Sequence, residues 1–357
     1  MCSMFRLRNS TLFAFAMFIS LTFIACNKSG LKDLNVRAPY IKLPTQTLDK
    51  SIKTYLVEID RFNSDGLYIK GTSVNNLLSQ VQLNGYKSVN YDADLVVSIG
   101  VGAGNFYDKG ITSVKRKTKE GKEYYMYKKE IEYSNNAHYR LFSKDRRVLD
   151  EVEVMNRNQS QTYSTEEFTT AKACEDWWYK NGNAIIDDLK AEMVKSAFDK
   201  IRRDLNEKYG YTETSSYVEF KTIKDKDHRD FRKFESTNRT VETAFKTMST
   251  FSTAEYEKRI MPAIEFWEEQ YPKYRSTDEK EQFLRYACLY NITQAYYWMD
   301  DYMKAKDFAL KMMDEGVNAK EAKRLFDMIE NTEETVNRLG YTKQHLYTPA
   351  QEGKGGV

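Results

Sequence analysis

The sequence predicts an α+β protein: an N-terminal mixed α/β sheet domain followed by an all-α domain of helical hairpins. Three observations predict it. Between residues 51 and 154, runs of β-branched and aromatic residues surround one short helical pattern. From Ile186 to Leu205, apolar residues recur every three or four positions, which marks one buried helical face. Beyond residue 235 the pattern is helical throughout, with repeated Ser-x-x-Glu start signals. The 357 residues are enough for two domains at roughly 100–200 residues each.

Residues 1–25 carry Arg6 and Arg8 ahead of an apolar stretch, Thr11 to Ala25. It falls short of the about 20 apolar residues of a spanning helix but suits a secretory signal. Phe23-Ile24-Ala25-Cys26 closes it with a small residue before cysteine. These residues resemble the lipobox of bacterial lipoproteins, with Phe23 where Leu is usual. The resemblance implies cleavage before Cys26 and acylation of that cysteine. Several acyl chains anchor a protein firmly where one is marginal. The alternative is a secreted protein without the lipid. Asn27, rather than Asp, is similar to the outer-membrane default of Gram-negative lipoproteins. Residues 27–34 hold Lys28, Lys32 and one acid, Asp33, which fits a periplasm-facing protein. Residues 26–50, with Pro39 and Pro44, then read as the lipid anchor and a tether.

The mixed domain is expected over 51–225. Ile52–Ile59 reads as a strand, Asn75–Val81 as a short helix ended at Asn84-Gly85, and Ala93–Ile99 as a second strand. Tyr124–Tyr133 and His138–Val154 read as a meander turning at Ser143-Lys144-Asp145-Arg146. This order, with its A-D-L-V-V strand, resembles small domains of envelope lipoproteins and assembly factors. Ser164-Thr165-Glu166-Glu167 has capping-box spacing, and Asn181-Gly182-Asn183 is expected to split the helical stretch that follows. Gly210 should stop the second helix. Tyr217–Ile223 reads as a strand returning to the N-terminal sheet, before a charged connector at 225–230.

The helical domain is expected over 235–340, with start signals at Ser252/Glu255, Ser276/Glu279 and Asn318/Glu321. Pro262 should kink its helix or mark a restart. Residues 286–319 resemble a tetratricopeptide repeat. Tyr296 and Tyr302 fall at its aromatic positions. Ala305 and Ala309 fall where its two helices touch. Thr293, Asp300 and Val317 depart from the usual small residue, glycine and proline. The resemblance implies stacked helical hairpins, because one repeat cannot bury its face alone; an unrelated helical bundle is the alternative. Residues 341–357 read as a disordered tail.

Lysine and arginine total 55 against 52 acids, a net charge of +3, so no field argues for nucleic acid. His138, His228 and His345 are scattered in sequence, with no metal or triad spacing, and neither a metal nor a cofactor is expected. Gly100-Val101-Gly102-Ala103-Gly104-Asn105 follows a strand, but Asn105 stands where a dinucleotide fingerprint needs glycine. A flexible or bulged strand end is expected instead. Cys174 and Cys288 are either buried thiols or a periplasmic pair. Asn158, Asn238 and Asn291 match the N-glycosylation pattern by chance. Trp177-Trp178, Trp267 and Trp298 stand out among the aromatics, as helix core or as sugar-stacking faces.

The expected function is that of a lipid-anchored cell-envelope protein, facing the periplasm from the outer membrane. Its expected role is a non-catalytic scaffold or adaptor for an envelope protein or cell-wall component. The alternatives are a glycan-binding outer-membrane lipoprotein, similar to the starch-utilisation type, and an envelope enzyme whose site is not visible in sequence. Stacked helical hairpins would present a concave groove suited to a peptide or partner helix, and the scaffold reading expects its lining to be mixed polar and apolar.

Overall fold

A computed structural model describes residues 30–60, 73–275 and 277–351. Cys26 and the expected signal segment lie outside the described residues, as does Ser276. The architecture is α+β, with sheets toward the N-terminus and helices toward the C-terminus.

β1 (Leu31–Lys42) occupies the stretch expected to be a tether. Its apolar residues Leu31, Val36, Ala38 and Ile41 are buried, so this segment folds as part of the body. β2 (Thr54–Ile59), α1 (Val74–Gln80) and β4 (Leu95–Val101) form the expected β-α-β unit, with β3 (Lys87–Ser88) beside β2. Ser73 caps α1 by accepting from the Asn76 N–H. All seven residues of β4 are buried, which matches a central strand covered on both faces.

β5 (Asn105–Lys117) and β6 (Glu123–Ser134) form a long hairpin. The hairpin replaces the expected loose strand end, with a register shift between Asp108 and Gly110. β7 (Ala137–Ser143) and β8 (Val148–Met155) follow, turning where expected. β9 (Gln161–Ser164) then pairs with β6. One five-stranded sheet runs β3-β2-β4-β7-β8, and a three-stranded sheet runs β5-β6-β9.

α2 (Ala171–Tyr209) begins at a Thr170 cap, not at Ser164. Ser164 ends β9, and Glu167 pairs with Arg116 of the hairpin. Asn181-Gly182-Asn183 does not split α2. Trp178 lies against Gly182 so closely that a Cβ there would sit 2.7 Å from the ring. Packing offsets the about 1 kcal/mol that glycine costs inside a helix. α2 ends at Gly210 as expected.

β10 (Thr212–Ile223) does not rejoin the five-stranded sheet. It pairs antiparallel with β1 along its whole length, Leu31 opposite Ile223 and Lys42 opposite Thr212. Among the described residues, α2 is followed by α3 (Phe231–Lys246), α4 (Ala254–Gln270), α5 (Glu279–Trp298), α6 (Tyr302–Asp314) and α7 (Ala319–Arg338). α4 runs through Pro262 without a restart, held by the buried Ile260, Ala263, Ile264 and Trp267. Its cap residue is Thr253, and that of α5 is Asp278. Every residue of α5 from Tyr286 to Trp298 is buried, as befits a helix enclosed by neighbours all round.

Two apolar cores result. One lies between the five-stranded sheet, α1 and the second half of α2. The other joins α3 to α7 with Val36, Ala38, Val218 and Phe220 of the β1–β10 ribbon. Ile41 and Tyr211, at the far end of the ribbon, belong to the first core. The ribbon therefore serves both cores, and the expected boundary between 225 and 235 does not separate them. The expected disordered tail also departs from the structure: His345 and Thr348 are buried. No helix among the described residues is long and apolar enough to cross a membrane.

Candidate functional site

The helix contact expected from the sequence is present in α5 and α6. Ala305 and Ala309 have no exposed surface, and their small side chains let the two backbones approach. Tyr296 stacks on Phe308 with ring centroids 5.7 Å apart and planes 16° apart. Tyr302 lies 6.1 Å from Tyr297 and donates its hydroxyl to Asp300 Oδ1 at 2.9 Å.

Asp300 stands in the α5–α6 turn at φ 61°, a left-handed conformation that usually favours glycine. Its carboxylate explains why an aspartate is there. It accepts the backbone N–H groups of Gln344 and His345 at 3.0 and 3.2 Å, and it meets the His345 ring. Burial alone would push the Asp300 carboxyl up. The hydrogen bond and charge of His345, with those two N–H groups, outweigh burial and hold it below its usual value.

The ribbon edges are finished by side chains instead of further strands. On β10, the Asn291 carboxamide accepts from the Lys221 N–H at 2.7 Å and donates to the Lys221 carbonyl at 2.8 Å. Asn291 is 1% exposed, so its glycosylation pattern is indeed incidental. The Lys221 ammonium lies 5.0 Å over Tyr290 and pairs with Glu219, Asp33 and Glu321. Burial would lower its pKa, but those carboxylates outweigh it and push it up. On β1, the Pro39 carbonyl faces His345 Nε2 at 3.2 Å. A proline fits such an edge, where its missing N–H breaks no ladder.

The glycine run has a packing explanation. A Cβ on Gly100 would collide with the His138 ring, on Gly102 with the Asn136 carboxamide, and on Gly104 with the Met193 methyl. The backbone is kept bare for the protein's own side chains. His138 Nε2 lies 3.5 Å from Asp60 Oδ2 and makes no hydrogen bond among the described residues. Among the described residues, no group of three or more His, Cys, Asp or Glu side chains is placed to hold a metal ion. Cys174 and Cys288 are separate buried thiols; burial and nearby Asp230 push Cys288 up. Trp267 and Trp298 are buried in the helical core, whereas Trp177 and Trp178 are half-buried on α2.

Where the ribbon meets the end of α3, a groove of about 770 Å³ opens. Val36, Pro39, Phe245 and Met248 supply its apolar lining. Arg37, Lys246, Glu213 and Glu242 bring both signs of charge, and Asn35, Thr214 and Ser215 add uncharged polar groups. Arg37 Nε is steadied by Ser215 Oγ at 2.7 Å. The groove lies on a rigid two-stranded support. It depends on the pairing of β1 with β10, which local sequence patterns do not reveal. No known protein family's sequence profile matches the chain, and no curated protein matches it significantly.

Proposed function

We propose that the chain is a lipid-anchored, non-catalytic scaffold of the bacterial cell envelope, attached through Cys26 and facing the periplasm from the outer membrane. Its groove between the ribbon and α3 takes a segment of an envelope protein. The mixed lining of that groove is the observation that carries the proposal: apolar residues supply contact area, and charged residues of both signs select a partner. The tetratricopeptide-like hairpins of α5 to α7 serve as the support that fixes β10 through Asn291.

Two experiments test the proposal. Parent protein purified from detergent-solubilised membranes should bring down a partner that Arg37→Glu and Lys246→Glu variants lose. Equal recovery by parent and variants would remove the groove from the function. Cys26→Ser should leave the membrane fraction, and protease should cut the parent only after the outer membrane is permeabilised. Cleavage in intact cells would place the protein on the surface.

A further inference from the structure

The β5–β6 hairpin extends beyond its support. Its last backbone link to the segment after β9 is at Tyr127, which exchanges two backbone hydrogen bonds with Phe168 at 2.7 and 2.8 Å. Phe168 packs on Trp177 of α2 at 5.6 Å, and Lys129 lies 5.8 Å over Trp178. From Tyr127 to Lys122 the two strands run on for about 17 Å, at roughly 3.4 Å per residue. The turn is closed by Thr118 N–H to the Lys122 carbonyl at 2.8 Å and Gly121 N–H to the Thr118 carbonyl at 3.0 Å. Gly121 holds φ 82° there. The tip is thus a built, braced projection.

Its composition differs from the rest of the chain. Residues 115–125 hold five basic side chains, Lys115, Arg116, Lys117, Lys119 and Lys122, against Glu120 and Glu123. That surplus equals the +3 of the entire chain. Lys115 and Lys117 share Glu123, and Arg116 pairs with Glu167. Lys119 and Lys122 have no ion-pair partner among the described residues. Tyr124 and Tyr125 are 44% and 55% exposed, and as strand neighbours they point to opposite faces.

We propose that this tip docks end-on at an anionic phospholipid surface, with Lys119 and Lys122 among the headgroup phosphates and Tyr124 and Tyr125 at the interface. Uncompensated lysines draw the tip to such a surface, and tyrosines settle at headgroup level. A lipid surface suits this shape better than a protein does. A protein partner would need a contact of about 800 Å² on one face, but the tip is two strands wide and divides its tyrosines between two faces. A soft surface entered end-on takes both. This contact is separate from the groove and does not depend on the lipid at Cys26.

The test uses the chain from Asn27 onward, which contains every described element and lacks the acylated cysteine. It is sedimented with vesicles of phosphatidylcholine alone, or with about a third of phosphatidylglycerol. Binding to the anionic vesicles alone is expected, and it should weaken with salt. Lys119→Glu with Lys122→Glu should reduce it at least about tenfold, and Tyr124→Ser with Tyr125→Ser should also reduce it. These side chains are exposed, so the variants should unfold at the parent's temperature. No preference for anionic vesicles, undiminished binding by the lysine variant, or capture of an acidic protein without vesicle binding would each overturn the proposal.

Discussion

Nδ1 of His345 lies 2.9 Å from Oδ2 of Asp300, and each side chain is only 1% exposed. The ring's other nitrogen reaches the Pro39 carbonyl of β1. One buried pair therefore ties the C-terminal segment to the α5–α6 turn and to the ribbon. His345→Ala would leave a buried carboxylate without its partner, which costs about 3–5 kcal/mol. Chemical denaturation should show this loss, and Asp300→Ala combined with His345→Ala should cost less than the two singles added together. Additive losses would mean that the two side chains do not act as a pair.

The same pair gives an acid dependence of definite sign. A carboxyl held lower in the folded protein than in the unfolded chain stabilises fully above the unfolded value, about 3.9 for aspartate. That stabilisation is lost as pH falls through the lower, folded value. The stability difference between the parent and Asp300→Asn should hold near neutrality and shrink only in strong acid. A difference unchanged across that range would show that Asp300 does not titrate as the geometry implies.

Ala305→Leu should overpack the contact of α5 with α6 and cost about 1–3 kcal/mol. Thermal unfolding is a sufficient measurement. A leucine variant as stable as the parent would mean that the interface has room, contrary to the complete burial of Ala305.

Asn291→Ala should leave the Lys221 N–H and carbonyl unsatisfied on a covered ribbon edge, at about 1–3 kcal/mol. Hydrogen exchange at the Lys221 amide should accelerate in the variant. Unchanged protection would show that something other than Asn291 satisfies this edge.

Elements with a local period were legible in the sequence. β2 and β4 declare themselves by runs of β-forming and apolar residues, α1 by apolar residues on one side, and Ala305 by the tetratricopeptide resemblance. Elements whose reason lies far away were not. β1 reads as a polar, proline-bearing linker until β10 supplies its partner. β5 is exposed along most of its length, so no alternation marks it. Gly182 looks like a helix break because Trp178, which covers it, acts through packing and not through propensity. The groove inherits the illegibility of β1, because Asn35, Val36, Arg37 and Pro39 of its lining come from that strand. His345 looked isolated for the same reason: its partners are 45 and 306 positions away.

The pairing of β1 with β10 has a consequence for how the chain is made. Leu31 opens β1, yet it waits for Ile223, and Pro39 waits for His345. Contacts so distant in sequence must close large loops before they return any stability, and they slow folding. The ribbon shared by both cores cannot form until β10 has emerged, and the His345 contact that completes it waits for nearly the whole chain. For a chain proposed to leave the cytoplasm, late completion keeps the polypeptide threadable through a translocation channel until nearly all of it has passed.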